Sequence, residues 1–311
     1  MHYLVTGGAG FIGSHLTELL LENGHHVTIL DNLSTGKKEN VPSKAKLTVG
    51  DVCDTDVVTE CMNQVDSCFH LAAVASVQAS VTDWIGTHRT NLGGTITVLN
   101  AARAHHGNQP KPVVLASSAA VYGDNPELPL SERSATGPMS AYGLDKLASE
   151  MHGKLAWDLF KVPVSAFRFF NVYGPRQDPS SPYSGVISIF FDRIRSEMPF
   201  TVFGDGRQTR DFIYVKDLVL YLYQEMQGLT EGFSMMNICT GRETNLLNLI
   251  DALSSAHGKL PTYTHEAERT GDIRHSLGDP TLLRSKHPNV EPISLHDGIA
   301  KMTHAMPEDA T

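Results

Sequence analysis

Along the first half of the chain, short apolar runs rich in β-branched residues alternate with longer stretches whose apolar positions recur every three or four residues. The runs at 3–6, 27–30, 46–49, 67–71, 113–117 and 164–169 predict strands, and the stretches at 13–23, 57–64, 92–104 and 142–160 predict helices. In the first helix Leu16, Leu19 and Leu20 share one face, and Gly24 supplies the stop. Strand–helix alternation of this kind predicts an α/β fold with a doubly wound parallel sheet. Val113-Val114-Leu115-Ala116 is apolar throughout, as a strand covered on both faces must be.

After Asn171 the pattern loosens. Prolines and glycines cluster at Gly174-Pro175, at 178–182 and at Gly204-Asp205-Gly206, and helices are predicted at 186–196, 218–227 and 246–257. This predicts a smaller mixed α/β lobe over residues 172–311, partly interleaved with the sheet domain of 1–171 and covering a cleft on it. Residues 308–311 read as a polar tail, and no repeat of 20–50 residues is present.

Composition narrows the classes. With 311 residues, 41% hydrophobic and 19% charged, the chain can bury a large core, which excludes a disordered protein. A net charge of −9 argues against a dedicated nucleic-acid binder. The longest apolar runs are strand-sized, and Met1 is followed almost at once by a strand, so neither a membrane span nor a signal peptide is expected. Cys53, Cys61, Cys68 and Cys239 form no CxxC pair and read as reduced thiols of a cytoplasmic protein. No histidine has zinc-ligand spacing, and no metal site is expected.

The first predicted strand runs into Thr6-Gly7-Gly8-Ala9-Gly10-Phe11-Ile12-Gly13 and then a helix. Gly7, Gly10 and Gly13 in that strand–turn–helix context allow a tight turn, close approach to a pyrophosphate and close helix packing, the Rossmann arrangement. The helix N-terminus adds N–H groups and the positive end of its dipole. Asp31 ends the second strand, where a carboxylate can accept from the adenine-ribose hydroxyls and would repel a 2′-phosphate. The expected cofactor is therefore NAD rather than NADP. Asp51 follows the third strand, where it could meet the adenine edge or serve as a turn residue.

Tyr142 and Lys146 stand four apart at the start of a predicted helix, so both project from one face. A phenol has a pKa of about 10, and a neighbouring ammonium favours its phenolate. Ser118, at the end of the strand predicted at 113–117, can donate to the same sugar oxygen. Serine, tyrosine and lysine together make a proton-transfer site beside a hydride acceptor.

With these residues the chain resembles the extended short-chain dehydrogenases/reductases of the nucleotide-sugar epimerase/dehydratase family. The resemblance runs through 6–13, Asp31-Asn32-Leu33, His70-Leu71-Ala72-Ala73, 117–123, 142–146, 168–175, 204–211 and 269–276. It implies cofactor contacts at Phe11, Ile12, Asn32, Val52, Leu71, Ala72 and Ala73 as well as at the glycines, Asp31, Asp51, Tyr142 and Lys146. It implies a uridine diphosphate clamp at Asn171, Arg210 and Arg269, a ribose contact at Asp272, uracil contacts at Val186 and Phe203, and a homodimer formed through 92–104 and 142–160.

Departures from the family pattern bear on the reaction. Sugar 4,6-dehydratases carry an Asp-Glu pair where this chain has Ala119-Ala120, and elimination of water needs such an acid and base. The run Ser118-Ala119-Ala120-Val121-Tyr122-Gly123 resembles 4-epimerases instead. In these, the tyrosine takes the 4-hydroxyl proton while NAD takes the C4 hydride, and the 4-keto sugar turns over and receives it on its other face. By the resemblance, Ser276 stands where many glucose-restricted 4-epimerases have a tyrosine, and Ala75 where galactose-pathway enzymes often have a lysine. Both departures resemble epimerases of UDP-N-acetylglucosamine, with UDP-glucose or UDP-glucuronate as the alternative substrates. A non-catalytic NAD-binding protein would be expected to lack Tyr142 or Lys146. His70 reads as a strand-end histidine packed under the cofactor.

Overall fold

The structure, a computed structural model, describes residues 1–104, 109–180, 185–268 and 273–305. In chain order, β1 (His2–Thr6) leads through the glycine turn to α1 (Phe11–Glu22), β2 (His26–Asp31), β3 (Lys46–Val49), α2 (Thr55–Asn63) and β4 (Ser67–His70). Next come α3 (Val77–Thr82), α4 (Trp84–His88), a π turn (Arg89–Gly93), α5 (Gly94–Ala101), β5 (Val113–Ser118), α6 (Ala141–Phe160) and β6 (Val164–Phe169). The remainder comprises β7 (Asn171–Tyr173), α7 (Val186–Arg195), β8 (Phe200–Phe203), β9 (Thr209–Tyr214), α8 (Val215–Gly228), β10 (Phe233–Ile238), β11 (Glu243–Asn245), α9 (Leu246–His257), β12 (Tyr263–Glu266), α10 (Thr281–Lys286) and α11 (Leu295–Ala305).

The expected doubly wound sheet is present. Seven strands, all parallel, run in the order β10-β6-β5-β4-β1-β2-β3. Alternation along each strand feeds two cores. Tyr3, Val5, Ile29, Val114 and Phe167 join Leu16 and Leu20 of α1 and Leu218 and Leu222 of α8 on one face. Leu4, Leu30, Val113, Leu115, Val164 and Ala166 join Val58 of α2 and Val98 of α5 on the other. The seventh strand, β10, returns from the second half of the sequence, and α8 packs on α1.

Three details differ from the sequence expectation. The first helix begins at Phe11, so Gly13 lies in its first turn; a Cβ there would stand 2.2 Å from the Gly7 carbonyl oxygen. The helix expected at 92–104 is α5, shorter and entered through the π turn that continues α4. Gly93, Gly94 and the threonines around them are poor helix formers, so the pattern there was too weak to set its ends. Finally, α3 and α4 fill 77–88, where no element is expected; Ser76 and Asp83 cap them with their side chains. Among the described residues no helix is long and apolar enough to cross a membrane.

Candidate active site

A cleft of about 1240 Å³ lies along the C-terminal ends of the parallel strands, between the sheet and the elements around β7, β9 and α7. Gly7, Gly10, Phe11, Ile12 and Gly13 line one end. Gly7 adopts φ +71°, and a Cβ there would meet the Ala72 nitrogen at 2.8 Å, so the turn and the strand end β4 approach as closely as glycine allows. No side chain caps α1 and no acidic residue occupies its first turn, which leaves its N-terminal N–H groups to an anion. Asp31, buried, accepts from the Ala9 N–H at 2.9 Å and the Leu33 N–H at 2.8 Å. Each oxygen retains a further lone pair for a ribose hydroxyl. An uncapped helix end beside a carboxylate fits an NAD pyrophosphate and ribose. Asn32, Val52, Leu71, Ala72 and Ala73 also line this end.

His70 sits beneath it in a fixed tautomer. The Thr95 hydroxyl donates to the Asn91 carbonyl at 2.7 Å and so accepts from His70 Nε2 at 3.1 Å. His70 Nδ1 then accepts from the Thr6 hydroxyl at 2.8 Å, whose oxygen in turn accepts the Leu71 and Ala72 N–H groups at 3.2 Å. Burial pulls the imidazole down to about 3, so it is neutral at working pH. His70 therefore braces the glycine turn and takes no part in proton transfer.

The sheet brings Ser118, Tyr142 and Lys146 to the middle of the cleft. Ser118 ends β5, and both it and Tyr142 line the cleft. Lys146 is buried, donates to the Ala116 carbonyl at 2.7 Å, and lies 5.8 Å from the centre of the Tyr142 ring. Burial pulls its ammonium down to about 8, against the attraction of Asp145; burial pushes the Tyr142 phenol up, against the opposing influence of the nearby Ser118 hydroxyl. Beneath them Arg168 of β6 holds Glu150 of α6 bidentately at 2.8 and 2.7 Å, and Ser117 donates to the same carboxylate at 2.5 Å. This buried bracket fixes α6, and hence Tyr142, against the end of β5.

Asn171, Val186, Arg210 and Ser276 line the other end of the cleft. A parallel bridge pairs Thr209 with His275, whose side chains meet at 2.9 Å, and Ser276 N–H reaches the Thr209 carbonyl at 3.1 Å. Arg210, His275 and Ser276 all line the cleft. Buried Asp211 accepts from the Thr240 hydroxyl and N–H and the Gly241 N–H at 2.7–2.8 Å, and from Gly278 N–H at 3.4 Å, which ties β9 to the Ser276 segment. Ala75, Ala119 and Ala120 line the same cleft.

Two expected residues lie elsewhere. The Asp51 side chain accepts from Cys53 N–H at 2.9 Å and faces Arg89, and only its neighbours Gly50 and Val52 reach the cleft; the carboxylate serves the turn. Phe203 ends β8, which pairs with β12 in a separate two-stranded sheet, and is not among the described residues that line the cleft. Arg269 and Asp272 lie outside the described residues. Sequence patterns passed over Lys37, Arg176 and Asp178, which line the dinucleotide end; charged residues in a Gly-Pro-rich segment were the available signal.

Residues 3–239 match the model of the NAD dependent epimerase/dehydratase family. The chain is similar, at 36% identity over 304 residues covering 97% of each, to a putative UDP-glucose 4-epimerase of Methanocaldococcus jannaschii. It is also similar to the UDP-N-acetylglucosamine 4-epimerase of Methanobrevibacter ruminantium, solved with UDP-N-acetylmuramic acid (33% identity, TM-score 0.90, 97% of each chain). A UDP-glucose 4-epimerase of Thermus thermophilus, solved with NAD, matches at 33% identity and TM-score 0.89 over 98% of each chain.

Proposed function

The chain belongs to the NAD-dependent epimerase/dehydratase family, and from that premise we propose that it interconverts UDP-N-acetylglucosamine and UDP-N-acetylgalactosamine at C4, with UDP-glucose and UDP-galactose as a second pair. The observation that carries the reaction type is a Ser118–Tyr142–Lys146 proton site opening on the same cleft as the glycine turn and Asp31, with Ala119 and Ala120 in place of an eliminating acid and base.

NAD, when bound, supplies the chemistry of accepting the C4 hydrogen with its electron pair and returning it. The chain moves the proton. Tyr142 takes it from the 4-hydroxyl, and Ser118 donates to the 4-oxygen. Burial alone opposes phenolate formation, so Lys146 must remain cationic beside the ring; a pKa of about 8 keeps it mostly protonated at neutral pH. The 4-keto sugar turns over in the cleft, where Ala75, Ala119 and Ala120 are among the lining residues. Asn171, Arg210 and Arg269 hold the diphosphate meanwhile, guanidinium groups matching its oxygens in pairs. On this reading residues 1–171 serve the cofactor and proton chemistry and 172–311 the UDP-sugar.

What supports the N-acetyl sugar is Ser276, a small residue that lines the cleft together with Arg210 and would leave room beside a sugar 2-substituent. Purified protein incubated with each of three UDP-sugar pairs, without added NAD, is expected to equilibrate the N-acetyl pair with the highest kcat/KM and the glucose pair more slowly. Conversion confined to UDP-glucuronate, or a 4-keto-6-deoxy product, overturns the assignment.

We also infer a homodimer. On α6, Leu144, Met151, Leu155 and Leu159 are 46–68% exposed at helical spacing, and Ile96, Val81, Trp84 and Ile85 extend the apolar area on neighbouring helices. Light scattering should give twice the chain mass, reduced to one chain mass by Leu155→Glu; a monomeric parent protein defeats the inference.

A further inference from the structure

Residues 174–178 leave β7 and run along the dinucleotide end of the cleft. Three of their groups are fastened to the elements that flank the glycine turn. The Pro175 carbonyl accepts from Nε2 of His15, a buried residue of α1, at 2.9 Å. Arg176 forms an ion pair with Glu18, also on α1. Asp178 forms an ion pair with Lys37 at 2.8 Å, and the Lys37 backbone N–H is itself bound to the Ala9 carbonyl of the turn at 3.0 Å. Lys37, Arg176, Gln177 and Asp178 all line the cleft.

We propose that this segment is a strap that retains the dinucleotide through both half-reactions, with the Lys37–Asp178 pair as its clasp. The proposal rests on the epimerase reading for its purpose, because such an enzyme must keep the reduced cofactor until the keto sugar has turned over. Its geometry stands apart from that reading. The anchors lie on α1 and on the loop after β2, so a dinucleotide seated on the glycine turn is enclosed between them. Arg176 adopts φ +68°, a left-handed conformation that costs a non-glycine residue energy and persists where its surroundings fix it. Asp178 is fixed as well: its carboxylate accepts from the Ser180 N–H at 2.9 Å and the Ser180 hydroxyl at 2.6 Å. The Lys37 and Ser180 bonds hold its acid down to about 2, so the clasp remains charged across the working range. Both clasp side chains are part-exposed, so the pair can open and salt can screen it.

The test reads cofactor release without any sugar, so it answers even for a protein that proves not to be an epimerase. Purified protein loaded with NADH is mixed with excess NAD, and the loss of bound-NADH fluorescence gives the release rate. An exposed pair contributes at most about a fivefold change in rate. Asp178→Asn, which still accepts from Ser180, and Lys37→Met should each speed release toward that limit. The double variant should be no faster than either single, and the charge swap Lys37→Glu with Asp178→Lys should recover most of the parent rate. In about 1 M salt, well past the screening range, parent release should approach that of the variants. Unchanged release in Asp178→Asn would overturn the strap. So would additive effects in the double variant, since Lys37 would then act on the dinucleotide directly and not through Asp178.

Discussion

Tyr142→Phe is expected to lower kcat by about 10²–10⁴-fold, the usual contribution of a positioned proton-transfer group, while UDP-sugar affinity stays near that of the parent. The phenol is the group in the cleft centre that can take the 4-hydroxyl proton, since His70 is held neutral and bonded on both nitrogens. Its ring keeps its place without the oxygen, because α6 is fixed through Glu150 and Arg168 rather than through the phenol. On the proposed reading affinity rests instead on the far end of the cleft, which Asn171 and Arg210 line. Turnover assays with calorimetric titration separate the two quantities. A variant that retains most of its rate would assign the proton to another base; one that loses binding equally would mean that α6 had moved.

Ser276→Tyr is expected to swing specificity toward UDP-glucose. Ser276 is buried and lines the cleft together with Arg210; on the proposed reading a phenol ring there would occupy the space that the N-acetyl group takes. Overlap in a packed site costs about 1–3 kcal/mol, and each 1.4 kcal/mol is about tenfold in kcat/KM. A 2-hydroxyl should still fit. The readout is the ratio of kcat/KM for the two sugars, since both share the diphosphate clamp. Equal losses on both would report general damage to the Asp211-tethered segment, and no change on either would place Ser276 outside the sugar pocket.

The dinucleotide half was legible because its signals are local. β1, β2 and β5 are largely apolar runs bounded by turns, the glycine turn is contiguous, and Tyr142 and Lys146 share one helix face within a single turn. The second half of the chain was less legible. β9 buries Asp211 and carries Arg210 within a strand, and β10 mixes serine and asparagine with methionine, so neither shows the alternation that marks a strand. β10 crosses back into the parallel sheet from the second half, a pairing no local window can reveal. The strap was hidden for the same reason: Lys37 and Asp178 carry ordinary loop charges until the fold sets them 2.8 Å apart.

The central claim is that one hydrogen leaves C4 and returns to C4 of the same sugar inside a closed site. UDP-N-acetylglucosamine bearing deuterium at C4 tests it directly, incubated with the purified protein in ordinary water without added NAD and followed by mass spectrometry and NMR of the product. The account predicts a 4-epimer of unchanged mass with deuterium still at C4; a product that has lost the label to solvent, or has lost water, contradicts it.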